Sequence, residues 1–184
     1  MRFDQPPSRA AQHDREARTR AVSWQDPAIA LPQLAAMSGL EYLRGMRRFE
    51  VPAPPMARLI GIDIESIEEG RVVMTLEPDE HFYNPIGVVH GGMLSTLLDT
   101  VMGCSLHSTL EAGVGYTTSD LHVQFVRPVT IGSGRVRAIG EVLHKGGRMA
   151  TAQGRLSDAE GRLCAHASST LVLLRPHARG AATG

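Results

Sequence analysis

The sequence predicts an α+β fold in which one antiparallel β-sheet curls around a single long, buried helix, with a helical extension at the N-terminus. Three observations carry this expectation. Between residues 90 and 113, Met93, Leu94, Leu97, Leu98, Val101, Met102 and Leu106 recur at helical spacing, while Thr96, Thr100, Gly103, Cys104 and Ser105 keep the remaining surface small rather than charged. A helix with so little polar surface needs covering all round. Two runs with a period of two precede it and four more follow it, separated by turn sequences. A sheet needs only one covered face, so a sheet wrapped around such a helix satisfies both elements.

In chain order, residues 1–20 form a polar arm in which Arg2, Arg9, Arg15, Arg18 and Arg20 are interspersed with Asp4, Asp14 and Glu16, unlike an acid-poor transit peptide. Pro32 is placed to open one amphipathic helix in which Leu34, Met37, Leu40, Leu43 and Met46 recur every third residue. Val51-Pro52-Ala53-Pro54-Pro55 breaks that helix, and residues 55–61 predict one or two helical turns stopped by glycine. The accessory segment is therefore assigned to residues 1–55 and the main domain to 56–175, leaving a polar tail at 176–184. Ile62, Ile64, Val72, Met74 and Leu76 alternate with polar residues around Glu68-Glu69-Gly70, a hairpin pattern. The loop 78–89 leads into the central helix, which is expected to end near Gly113 or Gly115. Four strands follow at 117–127, 135–144, 148–158 and 162–174. In the first, Leu121, Val123 and Phe125 fall on one face and Thr118, Asp120, His122 and Gln124 on the other. A curled sheet still leaves edges, and pairing edge to edge with a second copy would give a two-fold homodimer with a continuous sheet.

Composition narrows the function classes. With 184 residues, zero formal net charge and 42% hydrophobic content, the chain has room for one real core. Balanced charge argues against nucleic acid as the main partner. No stretch reaches the roughly 18 to 20 apolar residues of a membrane span, so no membrane partner is expected. Cys104 and Cys164 lie sixty positions apart in apolar surroundings, which gives neither a disulfide framework nor a zinc spacing and fits a reducing cytoplasm.

The chemistry concentrates at residues 84–99. The triplet His90-Gly91-Gly92 opens the central helix with permissive backbone and free N–H groups that attract negative charge. Asp99 stands eight residues past Gly91 in the apolar run, and a carboxylate there is costly unless it is used or paired. It is either a working group or a structural partner of a backbone group or an arginine. Asn84, the only asparagine, precedes Pro85; it is either a loop residue or, with the Gly91 N–H, a donor pair polarising a carbonyl oxygen. His90 is a helix-start residue, a ligand or a positioning group; the other histidines and acids show no recognised metal spacing with it, so no metal is expected. Ser95 lacks a nucleophile elbow, Cys104 fits the core, and no phosphate loop or dinucleotide fingerprint is present. The turn Lys145-Gly146-Gly147-Arg148 is a solvated hairpin or, if a phosphorylated ligand lies near that end of the sheet, its best set of contacts.

Residues 55–175 resemble the hotdog-fold acyl-CoA thioesterases of the 4-hydroxybenzoyl-CoA thioesterase superfamily, in particular the PaaI-like branch associated with phenylacetate catabolism. The resemblance is carried by Asn84-Pro85-x-Gly87-x-x-His90-Gly91-Gly92, Leu98-Asp99, Phe125-x-Arg127-Pro128 and Gly161-Arg162-Leu163-x-Ala165-His166. It implies that Gly91 N–H and the Asn84 amide bind the thioester oxygen, with His90 positioning Asn84 or substrate. Asp99 of the partner subunit would act as base or nucleophile. The branch also implies a Ser or Thr on the strand after the helix that holds the attacking water; Thr118 is favoured over Thr117 because it shares a strand face with Asp120 and His122. The implied activity is hydrolysis of an acyl-CoA thioester, with no cofactor apart from the coenzyme A of the substrate. The implied assembly is a homodimer or a dimer of dimers. Phe82, Tyr83 and the central helix are expected to line the acyl pocket, and Gly92 to contact substrate. A non-catalytic acyl-CoA binding or sensing module is the alternative, and an enoyl-thioester hydratase a more distant one.

Overall fold

The computed structural model describes residues 17–175; the expected arm up to residue 16 and the expected tail from residue 176 lie outside them. Strands β1 (Asp63–Glu68), β2 (Arg71–Leu76), β3 (Gly115–Phe125), β4 (Val136–Lys145), β5 (Met149–Ser157) and β6 (Leu163–Leu174) form one antiparallel sheet in the order β1-β2-β4-β5-β6-β3. Among the described residues four α-helices accompany it: α1 (Leu31–Ala36), α2 (Gly39–Arg47), α3 (Pro55–Ile60) and α4 (Gly91–His107).

Helix α4 packs against five strands, β2 through β6. Its stripe of Leu97, Leu98, Val101, Met102 and Leu106 is fully buried, and this apolar burial is what holds helix and sheet together. The two come close because Gly140 of β4 has no side chain. A Cβ there would stand 2.5 Å from the Val101 carbonyl oxygen, well inside van der Waals contact. The β1–β2 turn is fastened to the far end of α4 by the Gly70 N–H, which donates to Ser108 Oγ at 2.8 Å.

Two expectations need correction. The single helix from Pro32 to Met46 is two helices, because Ser38 caps α2: its Oγ accepts from the Glu41 N–H while the Glu41 carboxylate accepts from the Ser38 N–H. This capping box outweighs the apolar periodicity running through it. The break also lets Gly39 sit directly on the end of α4, where a Cβ would overlap the His107 carbonyl, and its N–H donates to Leu110 O at 2.9 Å. Helix α4 in turn ends at His107, several residues before Gly113. The hydroxyls of Ser108 and Thr109 donate to the carbonyls of Ser105 and Leu106, satisfying the orphan acceptors of the last turn without a glycine cap.

The accessory segment is built into the core. Leu43 of α2 is 1% exposed and belongs to the same apolar cluster as α4. At the opposite end of the sheet, β3 pairs only with β6 among the described residues, which leaves its other edge without a strand partner there.

Candidate active site

The loop before α4 is a folded scaffold. Asn84 Oδ1 accepts from the N–H groups of Ile86 and Val88 at 3.1 and 3.3 Å, its own N–H donates to Val88 O, and Gly87 takes a positive φ of 80° to close the turn. With the amide oxygen tied to the backbone, the amide NH2 is the part left to donate elsewhere, which fixes the orientation of a group that otherwise flips readily. At the next step of the chain, His90 caps α4: its Nδ1 accepts from the Gly92 N–H at 2.9 Å. His90 thus orients the helix start and makes no hydrogen bond to Asn84 among the described residues. The N–H of Gly91, the first helical residue, has no partner among the described residues, as the first orphan donor of a helix should not. The Phe125 ring covers Gly91 so closely that a Cβ would meet it at 3.0 Å.

Asp99 is half-buried, and its Oδ1 accepts from Thr118 Oγ1 at 2.8 Å. Thr117 is exposed. The bond forms although strict alternation puts Thr118 on the face of Asp120 and His122. A β-bulge between Thr118 and Asp120 shifts the phase of β3. Tyr116 and Thr118 therefore point toward α4, as do Leu121 and Val123 beyond the bulge, while Asp120 and His122 are exposed. Tyr116 went unnoticed in the sequence. Its ring packs on Gly103, where a Cβ would fall 2.5 Å from the hydroxyl oxygen, and the small residue opposite an aromatic was the one available signal. Burial first, then the Cys104 and Asp99 charges, holds its hydroxyl well above the usual tyrosine range.

Other candidates have different roles. Burial and then the Asp99 charge push the Cys104 thiol up to about 12, so it is no thiolate at neutral pH. Ser95 Oγ donates to the Gly91 carbonyl. Phe82 is buried in the core against His81, and Tyr83 Oη accepts from the Ile131 N–H at 2.8 Å; both support the loop from beneath. The turn from Lys145 to Arg148 lies beside the C-terminal end of α4, where Lys145 Nζ donates to Thr109 O at 2.7 Å and Gly146 N–H to Met149 O. Gly91 is at the other end of that helix, about 24 Å away by the helical rise. Within one chain the basic turn and the Asn84 loop are therefore not brought together; Arg148 is exposed. Among the described residues no cluster of three His, Cys, Asp or Glu side chains is placed to hold a metal, and no helix is long and apolar enough to cross a membrane.

Comparison with known proteins agrees with this architecture. Residues 86–165 match the family model of the thioesterase superfamily. The crystal structure of a phenylacetic acid degradation-related protein from Ralstonia eutropha JMP134 is 32% identical, with a TM-score of 0.66 over 71% of this chain and 98% of that one. The chain belongs to the thioesterase superfamily and has its hotdog fold. Human acyl-coenzyme A thioesterase 13 is 28% identical over 130 residues, spanning 70% of this chain and 91% of the relative. Acyl-coenzyme A thioesterase PaaI of Escherichia coli is 32% identical over 90 residues, 49% of this chain and 61% of the relative. Within the superfamily, the protein is a PaaI-like member.

Proposed function

We propose that the protein hydrolyses acyl-CoA thioesters in a site shared between two copies of the chain. The observation that carries the reading is a Gly91 N–H without a partner among the described residues at the start of α4, an Asn84 amide tied back through its oxygen in the preceding loop, and a hydroxyl-bonded carboxylate two turns along the helix. The Asn84 amide and the Gly91 N–H would receive the negative charge that grows on the thioester oxygen, where fixed donors act most strongly. Asp99 would take a proton from water as that water attacks the carbonyl carbon. Thr118 holds one carboxylate oxygen and leaves the other to bind the water. The thiolate of coenzyme A then leaves, and the reaction uses no metal or redox group.

Gly91 and Asp99 of one chain are about 12 Å apart along α4, too far to act on one carbonyl. Two copies paired along the free edge of β3 would set their α4 helices side by side and antiparallel, so that each loop faces Asp99 of the partner subunit. The same pairing carries the basic turn of one copy toward the loop of the other, where Arg148 would meet the phosphates of coenzyme A. Human acyl-coenzyme A thioesterase 13 and PaaI, by their names, act on this substrate class, which supports the reading. In the direct test, Asp99→Asn is assayed by release of free thiol from a panel of acyl-CoA thioesters. The variant should keep the wild-type size and melting temperature and lose about a hundredfold or more in kcat, the usual contribution of a positioned base. A well-folded variant with full activity would refute the assignment, and no hydrolysis by the wild-type protein across the panel would leave a binding module.

A further inference from the structure

A cavity of about 700 Å³ lies against α4, and the mechanism above makes no use of it. Thr100 and Cys104 of α4, with Ile64 of β1 and Met74 of β2, form its floor; the segment before β1 forms its walls, where Met46 of α2 and Ala57 of α3 stand beside polar Arg47 and Glu50. Those walls are fixed in place: Leu43, Val51 and Ile60 are each 3% exposed or less, and the capping box of Ser38 and Glu41 locks the start of α2.

Position, size and rim together identify an occupant. Thr100 follows Asp99 in the chain, so the floor of the cavity begins one residue, about 3.8 Å of backbone, from the candidate catalytic carboxylate. The volume falls within the roughly 300–1,000 Å³ of small-molecule sites, and a cavity of about 150 Å³ already accepts a benzene ring. The space is therefore several times what one aromatic ring needs. At the mouth stands Phe49, 85% exposed and the one non-glycine residue with positive φ (61°) among the described residues. A bulky side chain there is strained, and such strain persists only where the surroundings impose it. Here the Phe49 N–H donates to Met46 O, and the N–H groups of Glu50 and Val51 both donate to Gly45 O, holding the aromatic ring at the rim.

We propose that this cavity is the acyl pocket and that the N-terminal extension, by walling it, selects extended apolar acyl groups larger than a single aromatic ring. From a carbonyl held by Asn84 and Gly91 of one copy beside Asp99 of the other, the acyl chain passes over Thr100 of the copy that supplies Asp99 and enters beneath Phe49. This inference rests on the acyl-CoA reading and replaces Phe82 and Tyr83, which serve the core and the loop, as the expected lining. The Ralstonia structure is matched over 98% of its length yet accounts for 71% of this chain, so this chain carries material that the smaller protein lacks.

The test is equilibrium binding of two non-hydrolysable thioethers, dodecyl-CoA and propyl-CoA, to the full chain and to Ala57→Phe and Ala53→Phe, which place a ring in the cavity. Dodecyl-CoA should bind the wild type at least about tenfold more tightly than propyl-CoA, since each buried methylene adds to the difference. Both variants should bring that ratio close to one while melting near the wild-type temperature. Equal affinity of the two thioethers for the wild type would overturn the proposal, as would an unchanged ratio in the folded variants. Hydrolysis of short acyl-CoA thioesters together with equal thioether affinity sinks the pocket and spares the hydrolase. Tight dodecyl-CoA binding without hydrolysis of any thioester does the reverse.

Discussion

Removal of the Thr118 hydroxyl probes the hydrogen bond that joins β3 to the candidate carboxylate. Thr118→Val keeps the β-branched shape and deletes the 2.8 Å donor to Asp99 Oδ1. A hydrogen bond to a charged group contributes about 1.5–3 kcal/mol, which corresponds to roughly 10- to 150-fold in rate if the carboxylate is misplaced by its loss. Both partners are half-buried, so water can take up part of the vacated role and the low end applies: about tenfold in kcat. Because the hydroxyl acts on the carboxylate and does not grip substrate, KM should stay within about twofold of wild type. Thr118→Ser, which restores the donor, should recover most of the rate. The assay is free-thiol release under saturating and sub-saturating acyl-CoA, with melting temperatures in parallel. An unchanged kcat in Thr118→Val, or a serine variant as slow as the valine one, would refute a positioning role for this hydroxyl.

Two further outcomes follow from the same geometry. His107 is 7% exposed, both its ring nitrogens lack a hydrogen-bond partner among the described residues, and it packs against Tyr42 and Tyr116; burial lowers its pKa. A helix C-terminus ordinarily favours a charged histidine, but here the cost of burying an unpaired cation prevails. The folded protein therefore resists a proton that the unfolded chain accepts near pH 6.5. This contribution to stability is complete above that pH and is lost as pH falls through and below it. The melting temperature of the wild type should thus drop more between pH 7.5 and 5 than that of His107→Phe, and equal drops would contradict the argument. In a single turnover in H2(18)O, the label should appear in the released acid, as expected of Asp99 acting as a base; label in the Asp99 side chain would make it the nucleophile.

The residues that bury the core were plain in the sequence, because periodicity reports burial directly. Leu97, Leu98, Val101 and Met102 of α4 fall where their spacing puts them, and the strand boundaries lie within a residue or two of the alternating runs. Phase was harder to see. A single extra residue at the β3 bulge reverses every later side chain, so Thr118, which bonds Asp99, was favoured on a face it does not occupy. The capping box at Ser38 was written in the sequence, yet a continuous apolar stripe masked it. Long-range consequences were not legible at all. Nothing local says that Gly140 must admit the α4 backbone, that the segment before β1 encloses a cavity, or that the basic turn lies a helix length from the loop. The loop and helix start that carry the candidate donors were readable from Asn84, His90 and Gly91. The proposed division between two copies rests on the distance between Gly91 and Asp99 on one helix.

Subunit complementation tests that division most directly. Asn84→Ala and Asp99→Asn, each inactive alone, are mixed in equal amounts under conditions in which mass spectrometry demonstrates exchange. In a mixed dimer one site loses both groups and the other keeps both, so random exchange should restore about a quarter of wild-type activity. No recovery despite demonstrated exchange would place the donors and the carboxylate in the same subunit and contradict a shared active site.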